Sequence, residues 1–454
     1  MKRTTLLLLR ILLFAFFFFP AGIIFAESLD EDLARYAAAE FFSPSSQSSR
    51  IRANGQQLTL RSQGHENGYY IFDRPEGGVV FVADDDAIGH IVLGYTDSGS
   101  YDSENLPLGL QDWLHQVSVL MDAVHEGRIP QRNGIRKAGS VVVDALIQTK
   151  WDQYGPYNNL CPMLNGNRCP TGCVATAMAQ VMKYWKWPNH GYLSVSYFDE
   201  GCGQELGSDL SSNYYDWDNM LNTYQGNNYT ETQANAISTL LRDCGYVAHT
   251  EYTLSESLAG NPWMVCNVGG QGPMTWSDMC NYFHYSTESE TLHAEDYSSE
   301  QWEEIIQQNL TSGCPVLYAG GDGDTETSSH FFIIDGYDTQ NYYHVNWGWG
   351  GNLDGWFMLT NLNGFNTDQL MINNLKPDYS EDNFSYTYTL TLDGTLTING
   401  TGDTPDYPDL FSYFSPYNGN PLAPWFKECG RIQKVVIGEG ITGLGDNNLK
   451  TLLN

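Results

Sequence analysis

Positive charge is scarce in this 454-residue chain: 22 Lys plus Arg stand against 54 Asp plus Glu, a formal net charge of −32. Phosphate backbones are bound by clustered cations, so nucleic-acid binding is excluded as a working function. Charge of either sign is sparse, at 17% of residues against roughly 25% in an average soluble protein. Wholesale disorder is excluded as well, because 41% hydrophobic and 13% aromatic residues supply packed cores. Cysteine is missing before Cys161, and none of the nine cysteines forms a Cys-x-x-Cys pair, the usual sign of a structural zinc site. No metal and no cofactor is expected. A membrane-spanning run is lacking too. The apolar stretch from Leu6 past Phe19 is split by Arg10, closed by Pro20, and falls short of the ~20 residues a span needs.

That stretch follows Lys2 and Arg3 and precedes Ala26, which reads as a cleaved signal peptide over residues 1–26. With no lipid-attachment cysteine after it, the mature protein is expected to be exported without stable membrane insertion. An odd cysteine count in an exported chain points to a free, reactive thiol.

What is present sorts into three units. In residues 27–138, Tyr69–Phe72, Val79–Ala83 and Ile91–Tyr95 are short β-rich runs separated by turn residues. Leu110, Trp113, Leu114, Val117, Leu120, Met121 and Val124 then recur at helical spacing, making a small α+β unit. It ends in Arg128, Arg132, Arg136 and Lys137, a basic cluster suited to proteolysis on an exposed linker. Residues 139–377 hold most of the cysteines and tryptophans and are long enough for two lobes. Residues 378–454 are β-rich. Tyr386, Tyr388, Leu390 and Leu392 alternate up to Asp393-Gly394, then Leu396 and Ile398 follow, a hairpin pattern; Ile432–Leu444 adds one leucine-rich-like unit, too few for an array.

Cys173 opens a helix whose apolar face is Val174, Ala177, Met178, Val181, Met182 and Trp185. A thiol in a first helical turn faces unsatisfied amides that favour thiolate, although taken alone such a cysteine is more often a small buried hydrophobe. Its partners decide. His330 enters the apolar strand Phe331–Ile334, and a second strand runs from Tyr342 to Trp347. A hairpin symmetric about Asp338 sets His330 directly opposite Asn346, so that the Asn346 amide oxygen can hold one ring nitrogen and aim the other at Cys173. Thiol, imidazole and orienting amide are the equipment of a cysteine hydrolase. Gln153, 20 residues before Cys173, can fold back to supply an oxyanion donor beside the Cys173 amide; an exposed loop glutamine is the plain alternative. Trp347 can shield the Asn346 contact or simply be core.

Thr171-Gly172-Cys173-Val174-Ala175-Thr176-Ala177, the His330-to-Gly336 stretch, and His344-Val345-Asn346-Trp347-Gly348-Trp349-Gly350-Gly351 resemble the streptopain family of papain-like cysteine proteases. The resemblance covers roughly residues 141–377. It implies Cys173 as nucleophile, His330 as general base and acid, Asn346 as orienter, Gln153 with the Cys173 amide as oxyanion hole, and Trp347 packed over the Asn346–His330 contact. Gly172 and Ser329 are the candidate substrate-binding residues. The implied fold class is α+β: a papain-like two-lobed catalytic domain preceded by a small α+β propeptide domain and followed by a β-rich tail. Tyr70–Phe72, Gly78–Asp85 and Leu93–Gly99 are similar to that family's inhibitory propeptide, and the tail from Tyr386 resembles the start of bacterial surface leucine-rich repeats. The expectation is therefore a bacterial zymogen, secreted or at the cell surface or in the periplasm. Its partners would be protein or peptide substrates and its own propeptide as inhibitor; oligomeric state stays open. The resemblance also suggests a bulky apolar residue just N-terminal to the cleaved bond.

Gln153 and Cys173 stand closer together than in the family's best-known member. Cys161 and Cys169 lie between them, where a loop-tying disulfide is an open alternative. Two other readings stay open: a non-catalytic surface or adhesion protein, suggested by the tail, and a papain-like amidase or transglutaminase using the same three residues.

Overall fold

The computed structural model describes residues 29–42, 61–66, 68–74, 77–86, 88–128, 139–255, 257–259, 276–320, 330–359, 369–378, 386–404, 425, 430–446 and 449. In the N-terminal unit the apolar periods become elements where the pattern places them. Strands β1 (Arg61–Glu66), β2 (Tyr69–Asp73), β3 (Val79–Ala83) and β4 (Val92–Thr96) form an antiparallel meander. Helix α2 (Leu108–His125) buries all seven of the positions that recur at helical spacing. A further helix, α1 (Glu31–Phe41), precedes them. The Asp30 side chain caps it by accepting from the Leu33 amide, and its stripe of Ala34, Ala37, Ala38 and Phe41 is buried.

This unit does not stand apart from residues 139–377. β4 pairs antiparallel with β10 (Gly355–Phe357), placing Thr96 opposite Gly355 and Gly94 opposite Phe357. The sheet then continues through β9 (Tyr343–Asn346), β8 (His330–Asp338), β7 (Val316–Gly320), β11 (Leu370–Asn373) and β6 (Glu290–His293), while β5 (Val141–Val143) pairs the far end of β8. One eleven-stranded sheet therefore joins the two units. Their core is also shared. Trp113 of α2 packs between Phe81 and Phe357, with ring centroids 5.6 and 5.0 Å away, and its Nε1 donates to the Met358 carbonyl at 2.8 Å. Truncating such a buried tryptophan costs roughly 3–5 kcal/mol.

The other lobe is built on α3 (Cys173–Trp185) and α4 (Glu231–Val247), which share a core. α4 starts at a capping box between Thr230 and Gln233. The site lies where α3 meets β8, between the helical lobe and the sheet.

The tail has its expected hairpin, with β12 (Tyr386–Leu390) antiparallel to β13 (Thr395–Gly400). β14 (Lys434–Ile437) then adds to β13 in parallel. The tail is docked on the helical lobe: Leu390, Leu396, Ile398 and Trp425 belong to the same apolar core as Leu193 and Val195. Ser194 Oγ donates to the Leu390 carbonyl, and Arg431 Nη1 donates to the Ser194 carbonyl at 3.1 Å. Among the described residues no helix is long and apolar enough to cross a membrane.

Candidate active site

Gly172 sets up the turn into Cys173. It has φ 88°, and a β-carbon there would stand 2.6 Å from the Ser257 carbonyl oxygen, so only glycine lets the chain turn into α3 at this point. No side chain caps the helix, which leaves first-turn amides open beside Cys173. Burial alone would push the Cys173 thiol up. The charge and hydrogen bond of His330, with main-chain hydrogen bonds from Phe331 and Val174, more than reverse this and hold it below its ordinary value. His330 answers in kind. Burial favours its neutral form, but Cys173, then Asp112 and the main chain of Trp347, raise its pKa above the usual histidine value. The structure thus brings Cys173 and His330 into contact from the two lobes.

The hairpin register differs from the expected one. Asn346 faces Ile333, not His330, and Val345 faces Ile334. The turn lies further along the chain, with Asn341 at φ 64°, and the ladder slips at Asp335. The displaced turn sets the new register, and the one-residue slip goes with what Asp335 holds: its Oδ1 takes His344 Nδ1 at 2.5 Å and its Oδ2 accepts the Ile147 amide at 2.8 Å. The Asn346 amide accordingly does not hold His330. Its Oδ1 accepts from Gln180 Nε2 and from the Gly348 amide, both at 3.0 Å, and its Nδ2 donates to the Thr149 carbonyl at 2.9 Å. His330 Nε2 is buried with no hydrogen-bond partner among the described residues.

Trp347 is fully buried and packs at His330: a β-carbon on Gly109 would meet both rings, 2.6 Å from His330 Cδ2 and 2.8 Å from Trp347 Cε3. Trp347 also packs on Phe332 and Phe357, and its Nε1 donates to the Leu353 carbonyl at 3.0 Å. Gln153 is drawn to the loop that leads into Cys173, since its carbonyl accepts the Thr171 amide at 3.0 Å. Its side chain is buried, and Nε2 is a donor with no partner among the described residues. Ser329 lies outside the described residues.

The disulfide left open between Cys161 and Cys169 is not formed. Cys161 and Cys169 are both buried free thiols; burial pushes the first up to about 12 and raises the second. Their loop is tied by a two-residue hairpin, Met163–Leu164 against Asn167–Arg168, and by Asn158 Nδ2 donating to the Cys169 carbonyl at 3.0 Å. All seven described cysteines are free.

The N-terminal unit covers this site. Gly109 of α2 presses its backbone against His330 and Trp347, and Asp112 on the next turn acts electrostatically on His330. The remaining cleft is lined by Asp112, Trp113 and Gln116 on one side and by Tyr318, Phe332 and Gln369 on the other. The residues that sequence reasoning missed are Gly109, Asp112 and the polar pair Thr176 and Gln180. The last two carried a signal: both sit fully buried on an otherwise apolar helix face, three and seven positions after Cys173.

Comparison with known proteins bears on this geometry. The Peptidase C10 family model matches residues 151–357, and that of the Spi protease inhibitor matches residues 26–119. Streptopain of Streptococcus pyogenes is 30% identical over 356 residues, spanning 71% of this chain and 84% of the relative. The thiol protease/hemagglutinin PrtT of Porphyromonas gingivalis is 28% identical over 421 residues, 85% of this chain but 46% of that protein. Among solved structures, a fragment of Prevotella intermedia prointerpain A superposes with a TM-score of 0.58 at 29% identity, covering 71% of this chain and 99% of the fragment.

Proposed function

The chain belongs to the streptopain family and is a cysteine-type endopeptidase made as a zymogen with an inhibitory propeptide, and on that premise we propose how its residues divide the work. Cys173 Sγ, as thiolate, attacks the scissile carbonyl carbon, and the His330 imidazolium gives its proton to the departing amine. This leaves an acyl-enzyme, which water hydrolyses after losing a proton to His330. The opposite shifts of the Cys173 and His330 pKa values carry this reading, because each group stabilises the charged form of the other. Gln153 Nε2 and the Cys173 amide stabilise the oxyanion; a buried donor with no partner among the described residues, beside the nucleophile loop, supports that role. Asn346 works through the main chain: its bond to the Gly348 amide brackets Trp347, whose backbone and ring lie against His330. Gly172, next to the nucleophile, and Ser329, next to His330 in the chain, contact the substrate.

Residues 27–138 are the inhibitory propeptide, 139–377 the peptidase and 378–454 a repeat-like tail. Maturation cleaves the basic linker between Arg128 and Gly139. Residues 1–26 direct export, a reading supported by the inhibitor match beginning at residue 26. The mature enzyme is secreted, at the cell surface or in the periplasm of a bacterium.

Iodoacetamide tests the nucleophile against the other cysteines. In the processed enzyme Cys173 is alkylated first and activity is lost in step, because its thiolate persists well below the free-thiol value of about 8.5. Faster labelling of another cysteine, with activity retained, contradicts the assignment.

A further inference from the structure

Gln180 lies seven residues after Cys173, two turns along the same face of α3, and is fully buried. Its carboxamide is used on both sides. Oε1 accepts from Thr149 Oγ1 at 2.8 Å, from the Trp151 amide at 3.3 Å and from Asn346 Nδ2 at 3.4 Å, while Nε2 donates to Asn346 Oδ1 at 3.0 Å. Asn346 Nδ2 returns to the Thr149 carbonyl at 2.9 Å. The bonds close a ring over three residues that the chain order keeps far apart. Each member leads to a different part of the site. Thr149 and Trp151 begin the segment that ends at Gln153; Asn346 leads into Trp347 and thence to His330; Gln180 is on the helix that carries Cys173.

We propose that Gln180 is a positioning residue for peptide hydrolysis: its amide is the joint that keeps the Gln153 segment and the Asn346–Trp347 main chain in register with the nucleophile helix. This rests on the roles proposed above for Cys173, His330 and Gln153. An amide is needed because the joint must donate to Asn346 and accept from Thr149 at once, which neither a carboxylate nor an alkyl group does. In a dry interior a partly satisfied network shifts until its groups find partners, and the reacting groups at its three ends shift with it.

Gln180→Glu in the processed enzyme isolates the joint. It keeps the shape and all three contacts that Oε1 accepts but turns an oxygen toward Asn346 Oδ1. At a pH high enough to ionise the new carboxyl, whose pKa burial raises, kcat for a peptide substrate relative to the native enzyme at the same pH falls by roughly 10²-fold, the effect of a misplacement of about 1 Å, while KM changes by less than about threefold. On acidification the new carboxyl gains a proton and donates again, so the variant recovers part of its kcat relative to the native enzyme at the same pH. Thr149→Val, which removes only the hydroxyl donor, lowers kcat in the same direction by a smaller factor and serves if Gln180→Glu does not accumulate as folded protein. Native kcat in these variants overturns the proposal, as does a loss in Gln180→Glu with no recovery at low pH. Cys173→Ala separates the two levels: activity in that variant sinks the site assignment itself, whereas an inactive Cys173→Ala beside a fully active Gln180→Glu sinks only the role of Gln180.

Discussion

His344 Nε2 lies 3.2 Å from Asp97 Oδ2, while its Nδ1 lies 2.5 Å from Asp335 Oδ1, so one buried imidazole bridges the inhibitory unit and the catalytic sheet. The main chain repeats the link, with the Asp97 amide donating to the Asp354 carbonyl at 2.8 Å. Burial favours neutral His344, but Asp335 and then Asp97 outweigh it and raise its pKa to about 10; Asp354, also near, is pushed up to about 7 by burial.

These shifts set the sign of the pH dependence. A histidine with a folded pKa above its unfolded value stabilises fully below about 6.5 and loses that contribution as pH rises through about 10. Asp354, raised from 3.8 to about 7, acts in the same direction over its own lower window. The Cys173→Ala precursor is therefore expected to melt at progressively lower temperature from pH 6.5 upward, and Asp97→Asn to flatten part of that slope. The Asp97 arm is half exposed, so salt weakens it. An unchanged slope in Asp97→Asn would rule the bridge out as a source of the dependence.

Gly109 gives a second handle on inhibition. Any side chain there collides with His330 or Trp347, and overpacking of this kind costs roughly 1–3 kcal/mol. A Gly109→Val precursor should shorten itself about 5- to 150-fold faster under reducing conditions, read from the time course of its mass. Processing at the native rate would mean that α2 does not hold the site closed.

The two histidines of the hairpin separate by phenotype. His330→Ala should abolish turnover and lower melting only modestly, since it removes the contacts of His330 to Cys173 and the Trp347 main chain but leaves no buried charge unpaired. His344→Ala should keep turnover but leave Asp335 buried without its imidazole, a destabilisation of about 3–5 kcal/mol. Melting curves and kcat on the two purified variants check this, and the reverse pattern would exchange their roles.

Much of the fold was legible because it is written in local periods. α2 and α3 each bury the face their spacing marks, and the strands at Tyr69, Val79 and Val92 fall between turn residues. Cys173, His330 and Gln153 were legible as candidates from residue types in motifs. What was not legible depends on distant contacts. The register of His330 against Asn346 failed because the hairpin is centred at residue 340, not Asp338, and carries a one-residue bulge at Asp335 whose carboxylate is held by Ile147 and His344, and no symmetric-hairpin argument contains residue 147. The continuation of β4 into β10 joins residues more than two hundred positions apart, and the Gln180 ring is of the same kind. The loop between Gln153 and Cys173 is tied by a hairpin and an asparagine, where cysteine spacing alone suggested a disulfide.

The central claim is that Cys173 is the nucleophile of a precursor that restrains itself, and the mass of purified precursor under reducing conditions tests it most directly. The native chain is predicted to shorten to a species beginning between residues 129 and 139, and the Cys173→Ala chain to remain intact alone yet be cut at the same place when active enzyme is added. Shortening of the Cys173→Ala chain by itself would contradict the account.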